Sequence, residues 1–184
     1  MTRDEAIDLI RPAVAGHDGD WADLGAGAGT FTAALAELLG ARRTVTPVDR
    51  DATSLAQLRT LATGLPNHRA GGATVRVLAA DLADPTSLVT LATRALAGVL
   101  LGNVLHFFAD PVPLLRTAAA KVEVGGGVVV LEYEGARANP WVPYPVSVRR
   151  LGELAEAAGL EAPDVVSETT SRYHGLLYCG VLRA

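Results

Sequence analysis

The residues with the most chemical promise stand between positions 23 and 29. They read Asp23-Leu24-Gly25-Ala26-Gly27-Ala28-Gly29, an acid followed by glycines at alternate positions. Glycine permits a tight turn and lets the backbone approach a ligand closely, and a helix starting behind the turn offers free amides to an anionic group. Asp49 follows Gly29 by 20 residues, where a carboxylate can accept both hydroxyls of a ribose. Asp81 is followed by Leu82, so an acid and an apolar wall could frame an adenine. Each acid taken alone also reads as a solvated strand end or a helix cap, and Asp84 before Pro85 is read as a cap. A dinucleotide fingerprint would place its third glycine at position 30, where Thr30 stands; its branched side chain obstructs close helix–strand packing.

Other candidates lie further along. His106 could act as a base near neutral pH, although among Leu105, Phe107 and Phe108 it also reads as a packing residue. In Glu132-Tyr133-Glu134, strand alternation turns the two acids to one face and Tyr133 to the other; the acids read as solvated strand-end groups. The stretch from Arg137 to Pro145 carries three prolines with Trp141 and Tyr144. It reads as a wall or lid on the substrate side, or as a loop whose aromatics cover the core. Arg137, Arg149, Arg150 and Arg172 either favour an acidic substrate there or are ordinary surface arginines. His17, His68 and His174 show no metal-ligand spacing, and no metal site is expected.

These residues need elements to hold them. Apolar spacing predicts helices over Asp4–Val14, Thr30–Leu39, Thr53–Thr63, Asp84–Ala95, Pro111–Val122 and Ser147–Ala158. Short apolar or β-branched runs predict strands over Trp21–Leu24, Thr44–Val48, Ala73–Ala79, Ala97–Asn103 and Val128–Tyr133. Two more, Val165–Arg172 and Gly175–Leu182, have almost nothing between them, so they must pair antiparallel. Repeated strand–helix units closed by a hairpin imply an α/β fold. The expectation is a three-layer αβα sandwich around a mostly parallel, Rossmann-like seven-stranded sheet. It forms one domain over residues 1–184, with residues 134–146 as a substrate-side insert.

Composition sets the outer bounds. The chain has 184 residues, 49% hydrophobic and 20% charged, with a net charge of −4. That charge argues against nucleic acid as the main partner. The single cysteine, Cys179, excludes an internal disulfide and a thiolate-rich zinc site. The longest apolar runs fall far short of the ~20 residues of a membrane span, and three of the first five residues are charged, with no apolar stretch behind them. A cytoplasmic protein with a small-molecule partner is expected, with neither nucleic acid nor membrane.

In the order of its motifs the chain resembles the class I S-adenosylmethionine-dependent methyltransferases of the small-molecule type. Asp23 to Thr30 is similar to their first motif, Asp49 to the ribose-binding acid, and Ala80-Asp81-Leu82 to the adenine-binding step. Leu100-Leu101-Gly102-Asn103-Val104-Leu105-His106-Phe107 resembles their fourth-strand motif, and Val124-Gly125-Gly126-Gly127-Val128 the turn into the fifth strand, with Val124 where proline is usual. The resemblance implies S-adenosylmethionine as cofactor. Gly25, Ala26, Gly27 and Gly29 would form the turn against its methionine part, with Asp23 near the amino group. Asp49 would hold the ribose hydroxyls, Arg50 would flank the adenine, Asp81 would take its amino group and Leu82 its ring. Asn103 would face the amino acid moiety. His106 is the candidate catalytic base, and Tyr133, Trp141 and Tyr144 the candidate acceptor wall. The Asn-Pro-Pro-Tyr pattern of enzymes that methylate amino groups on nucleic acids or glutamine is missing. With only about one helix ahead of the first strand, a homodimer or an open cleft would have to complete the site. A noncatalytic module binding the same cofactor is the alternative, and a nicotinamide-dependent oxidoreductase a weaker one.

Overall fold

The computed structural model of the chain describes residues 1–64, 72–91, 94–171 and 175–183. Helix α1 (Arg3–Val14) opens on a capping box: the Glu5 amide donates to Thr2 Oγ1 at 3.2 Å and the Thr2 amide to Glu5 Oε2 at 2.7 Å. β1 (Trp21–Leu24), α2 (Thr30–Leu39), β2 (Thr44–Asp49) and α3 (Ala52–Gly64) then follow. Next come two short strands, β3 (Thr74–Val75) and β4 (Leu78–Ala79), and then β5 (Leu96–Gly102), α4 (Val112–Ala119) and β6 (Val122–Glu134). The chain closes with α5 (Val148–Ala158), β7 (Asp164–Ser171) and β8 (Gly175–Leu182).

The sheet runs β3-β2-β1-β5-β6-β8-β7, with β4 also on β2. Its pairs are parallel as far as β6; β8 then inserts antiparallel between β6 and β7. The expected sandwich with its terminal hairpin is thus present. Both faces are covered, as a parallel sheet requires. One core joins Leu24, Val99, Leu101, Val128, Val130 and Tyr178 to α4 and α5. The other joins Trp21, Leu100, Val129, Leu131 and Cys179 to α1 and α2. Gly98 faces Trp21 across the ladder, and a Cβ there would fall 2.4 Å from the indole. Strand β5 therefore has no side chain where the ring lies. Burial pushes the Cys179 thiol up to about 12, so it is an inert part of this core.

Three expectations are corrected. The third strand is broken into β3 and β4 because Pro47, in the middle of β2, has no N–H to donate to the neighbouring strand. The Arg76 amide reaches Val45 O and the Ala80 amide reaches Asp49 O, leaving a gap in the ladder between them. Of the helix expected over Asp84–Ala95, the described residues form only a 3-10 turn, Pro85–Leu88, capped by Asp84, and residues 92–93 lie outside them. Ser87 Oγ donates to the carbonyls of Asp81 and Asp84, the local competition by which serine opposes helix. The helix after Pro111 ends at Ala119, and β6 begins at Val122, ahead of the glycines expected to precede it. Among the described residues no helix is long and apolar enough to cross a membrane.

Candidate functional site

A cavity of about 1220 Å³ opens at the carboxyl ends of β1, β2, β4, β5 and β6, where open α/β sheets bind ligands. Its floor is the turn from β1 into α2. Gly25 and Gly29 have φ of 75° and 85°, the left-handed region that favours glycine. A Cβ on Gly25 would meet Val104 at 2.6 Å, and one on Gly29 would meet Leu61 and Leu58 of α3 at 2.8 and 2.9 Å. The turn is tied to β2: the amides of Gly25 and Ala26 donate to Val48 O, at 2.8 and 3.0 Å. Gly25, Ala26 and Gly27 line the cavity, whereas Gly29 lies behind it as the N-cap of α2.

Asp49, Asp81 and Asn103 come to the same rim from three different strands. Asp49 Oδ2 accepts the Gly27 amide at 2.8 Å, and Oδ1 accepts the amides of Arg50 and Asp51. A carboxylate offers about four acceptor positions, so room is left for an incoming hydroxyl. Asp81 accepts the Ala83 amide at 2.9 Å and pairs with the Arg50 guanidinium at 3.0 Å. These bonds, the amide first, hold its carboxyl below the usual range, keeping it an acceptor. Leu82 lines the wall beside it. Asn103 sits at φ 58°, a backbone conformation asparagine tolerates, and its amide donates to Leu131 O. Its side-chain oxygen is buried and meets no donor in the protein.

Asp23 does not reach this cavity. It lies on the α2 face of β1, fully buried, and accepts the Thr32 hydroxyl at 2.6 Å. Burial, reinforced by the charge of Asp49, pushes its carboxyl up to about 7, and the bond from Thr32 only partly opposes the rise.

The acceptor side departs further from expectation. His106 is buried in the turn Leu105–Phe107 and does not line the cavity. Its Nδ1 lies 2.6 Å from Glu132 Oε2, and its amide donates to Glu132 Oε1 at 3.2 Å. Glu132, expected at a solvated strand end, is 0% exposed, because β8 pairs alongside it and places Tyr178 opposite. Burial, with the charges of Glu132 and Glu134, holds the Tyr178 hydroxyl well above its usual value. That hydroxyl donates to Val146 O at 2.9 Å. Glu134 accepts the Val148 amide at 2.8 Å and so helps to start α5.

Tyr133 and Tyr144 line the cavity, but Trp141 does not: it is 80% exposed. The turn Asn139–Val142, tied by the Asn139 side chain to the amides of Trp141 and Val142, points the indole outward. Arg172, His68 and His174 lie outside the described residues. Sequence reasoning missed Thr2 and Glu5 of the α1 start, the aromatic pair Phe107 and Phe108, and Thr169, Thr170 and Ser171 on β7. The spacing Thr2-Arg3-Asp4-Glu5 was a legible capping signal. The threonines carried none, since polar residues on an edge strand usually face water.

A family model described as a methyltransferase domain matches residues 22–130. No curated protein matches the chain by sequence. Among solved structures, the chain is similar to an arsenic(III) S-adenosylmethionine methyltransferase from Chlamydomonas reinhardtii, with TM-score 0.71 and 18% identity over 93% of this chain and 64% of that one. It is similar to the CcbJ methyltransferase from Streptomyces caelestis, with TM-score 0.71 and 18% identity over 99% and 94%. A third is an O-methyltransferase of neocarzinostatin biosynthesis, solved with S-adenosyl-L-homocysteine and 1,4-dihydroxy-2-naphthoic acid. There TM-score is 0.63 and identity 25%, over 99% of this chain and 55% of that one. The chain thus spans less than two thirds of the first and third proteins and nearly all of the second. The first two likenesses show the fold. The matched span runs from β1 into β6 and takes in the glycine turn, Asp49, Asp81 and Asn103, and the chain belongs to the methyltransferase-domain family.

Proposed function

We propose that the chain transfers a methyl group from S-adenosylmethionine to a small-molecule acceptor. One observation carries the reading: the glycine turn, Asp49 and Asp81 converge on a cavity of about 1220 Å³. That exceeds the roughly 300–1,000 Å³ of ordinary ligand pockets, leaving space for a nucleoside-type cofactor and an acceptor together. The residues fit the cofactor. Gly25 leaves the turn no side chain, and the unpartnered Asn103 oxygen suits its ammonium group. Asp49 would take the ribose hydroxyls and Asp81 the adenine amino group, with Leu82 and Arg50 beside the ring. Asp23 would hold the turn from beneath through Thr32 rather than touch the ligand. The S-adenosyl-L-homocysteine seen in the neocarzinostatin-pathway neighbour supports the same assignment.

When bound, the cofactor supplies an electrophilic methyl group on a sulfonium. The chain's own residues orient the acceptor and exclude water, which is most of what such a displacement asks of a protein. Phe107, Phe108 and Tyr144 form one wall, while Tyr133 and the β7 hydroxyls form the other. In this reading His106 positions that wall and takes no proton from the acceptor. A small molecule is preferred over nucleic acid because the net charge is −4.

The test is a calorimetric titration with S-adenosylhomocysteine, with NAD in parallel and Asp49→Ala as control. Micromolar affinity for the first ligand alone, lost in the variant, is expected. Binding of NAD alone, or of neither ligand, would overturn the assignment. Tight binding without methyl transfer to any of a broad panel of acceptors would leave a binding module instead.

A further inference from the structure

A second, smaller cavity of about 270 Å³ abuts the first, and Phe108, Ala109 and Tyr144 line both. It runs between the segment after β5 and the start of α5, walled by Pro111, Pro143 and Pro145 and reaching Arg150. At that size it falls below the range of a self-standing ligand pocket, but it suits an arm of a molecule seated next door. Its walls are stiff. Proline restricts the backbone, the Tyr144 amide donates to His106 O at 3.0 Å, and His106 is itself pegged to Glu132.

Charge at its far end chooses the occupant. Arg149 and Arg150 both pair with the single carboxylate of Glu153, Arg150 at 3.0 Å. Arg150, in the first turn of the 11-residue helix α5, is the one charged residue among the described residues that line this cavity. The carboxylates of Glu134 and Asp110 accept the backbone amides of Val148 and Val112, and neither residue lines this cavity.

We infer that this side cavity is a specificity subsite, taking an apolar arm of the acceptor that ends in an anionic group such as a carboxylate, with Tyr144 dividing it from the methyl-transfer site. The inference rests on the function proposed above. Titrations of the full chain, with and without S-adenosylhomocysteine, would use benzoate, 4-phenylbutyrate, 6-phenylhexanoate and the uncharged 6-phenylhexanol as probes. Affinity should rise by about fivefold or more from benzoate to 6-phenylhexanoate. The exposed-site variant Arg150→Glu should reverse that gain and leave 6-phenylhexanol within about twofold. Ala109→Phe, at an exposed position on the shared wall, should flatten the dependence on chain length. Affinities that ignore chain length, a carboxylate gain that survives Arg150→Glu, or no binding of any probe would overturn the subsite. Failure of S-adenosylhomocysteine to bind would count against the cofactor alone, because the ligand-free titrations still read the subsite.

Discussion

The ring of His106 and the carboxylate of Glu132 meet at 2.6 Å inside the core, with His106 3% and Glu132 0% exposed. The pair joins the turn after β5 to the C-terminal end of β6, and its neighbours in sequence, Phe107 and Tyr133, both line the cavity. Removing one partner of this buried hydrogen bond leaves the other unsatisfied, at a cost of about 1–3 kcal/mol. Glu132→Ala should therefore lower stability by about that amount in urea titration, and Glu132→Gln by less. Where Glu132→Gln folds, its affinity for S-adenosylhomocysteine should stay within about twofold of wild type, since neither residue lines the cavity. A large loss of cofactor affinity would place the pair in the binding site after all.

Asp49 has a double role, because the carboxylate that faces the cavity also accepts the Gly27 amide. Asp49→Ala should weaken S-adenosylhomocysteine binding by about 1.5–3 kcal/mol, the worth of hydrogen bonds to a charged group, or about tenfold to a hundredfold. Far-ultraviolet circular dichroism should show the fold intact. Unchanged affinity in calorimetry would put the cofactor elsewhere.

Asp23 should make stability depend on pH. Its carboxyl titrates near 3.8 in the unfolded chain and at about 7 in the folded one. Between those values the folded chain binds more protons. The contribution of Asp23 to stability is therefore complete below about pH 4, declines as pH rises toward 7, and is level above that. Asp23→Asn keeps an acceptor for Thr32 and removes the titration. The variant should gain on wild type between urea midpoints measured at pH 5 and pH 8; an unchanged difference would mean that Asp23 is not desolvated.

Gly98 should tolerate no side chain. Its Cβ would overlap the buried Trp21 ring at 2.4 Å, and overpacking of this kind costs about 1–3 kcal/mol. Gly98→Ala should lower the urea midpoint followed by tryptophan fluorescence, without moving the affinity for S-adenosylhomocysteine.

Tyr144 and Trp141 should part company. Tyr144→Ala opens the wall between the two cavities, and Trp141→Ala removes an outward-facing ring. With an identified acceptor, the first should raise KM about tenfold or more and the second change it less than twofold. Equal effects would mean that the segment closes over the site in turnover.

The sequence by itself determined the order of elements and the glycine turn with its two strand-end acids. Trp21–Leu24, Thr30–Leu39 and Gly175–Leu182 stand where apolar spacing and glycine breaks put them, since those signals are local and periodic. The glycine turn, Asp49 and Asp81 were legible for the same reason: each lies at a strand end, and parallel topology brings strand ends together. Only the tertiary structure decided the surroundings of Glu132, His106 and Trp141. It buried Glu132 by laying β8 beside β6, drew His106 onto that carboxylate and away from the cavity, and turned Trp141 to solvent. Whether a carboxylate meets water or a histidine depends on what packs over it, and in this chain the covering strand arrives more than forty residues later. The break between β3 and β4 follows the same rule. Pro47 was in plain view, but the donor it lacks mattered only once its partner strand lay alongside.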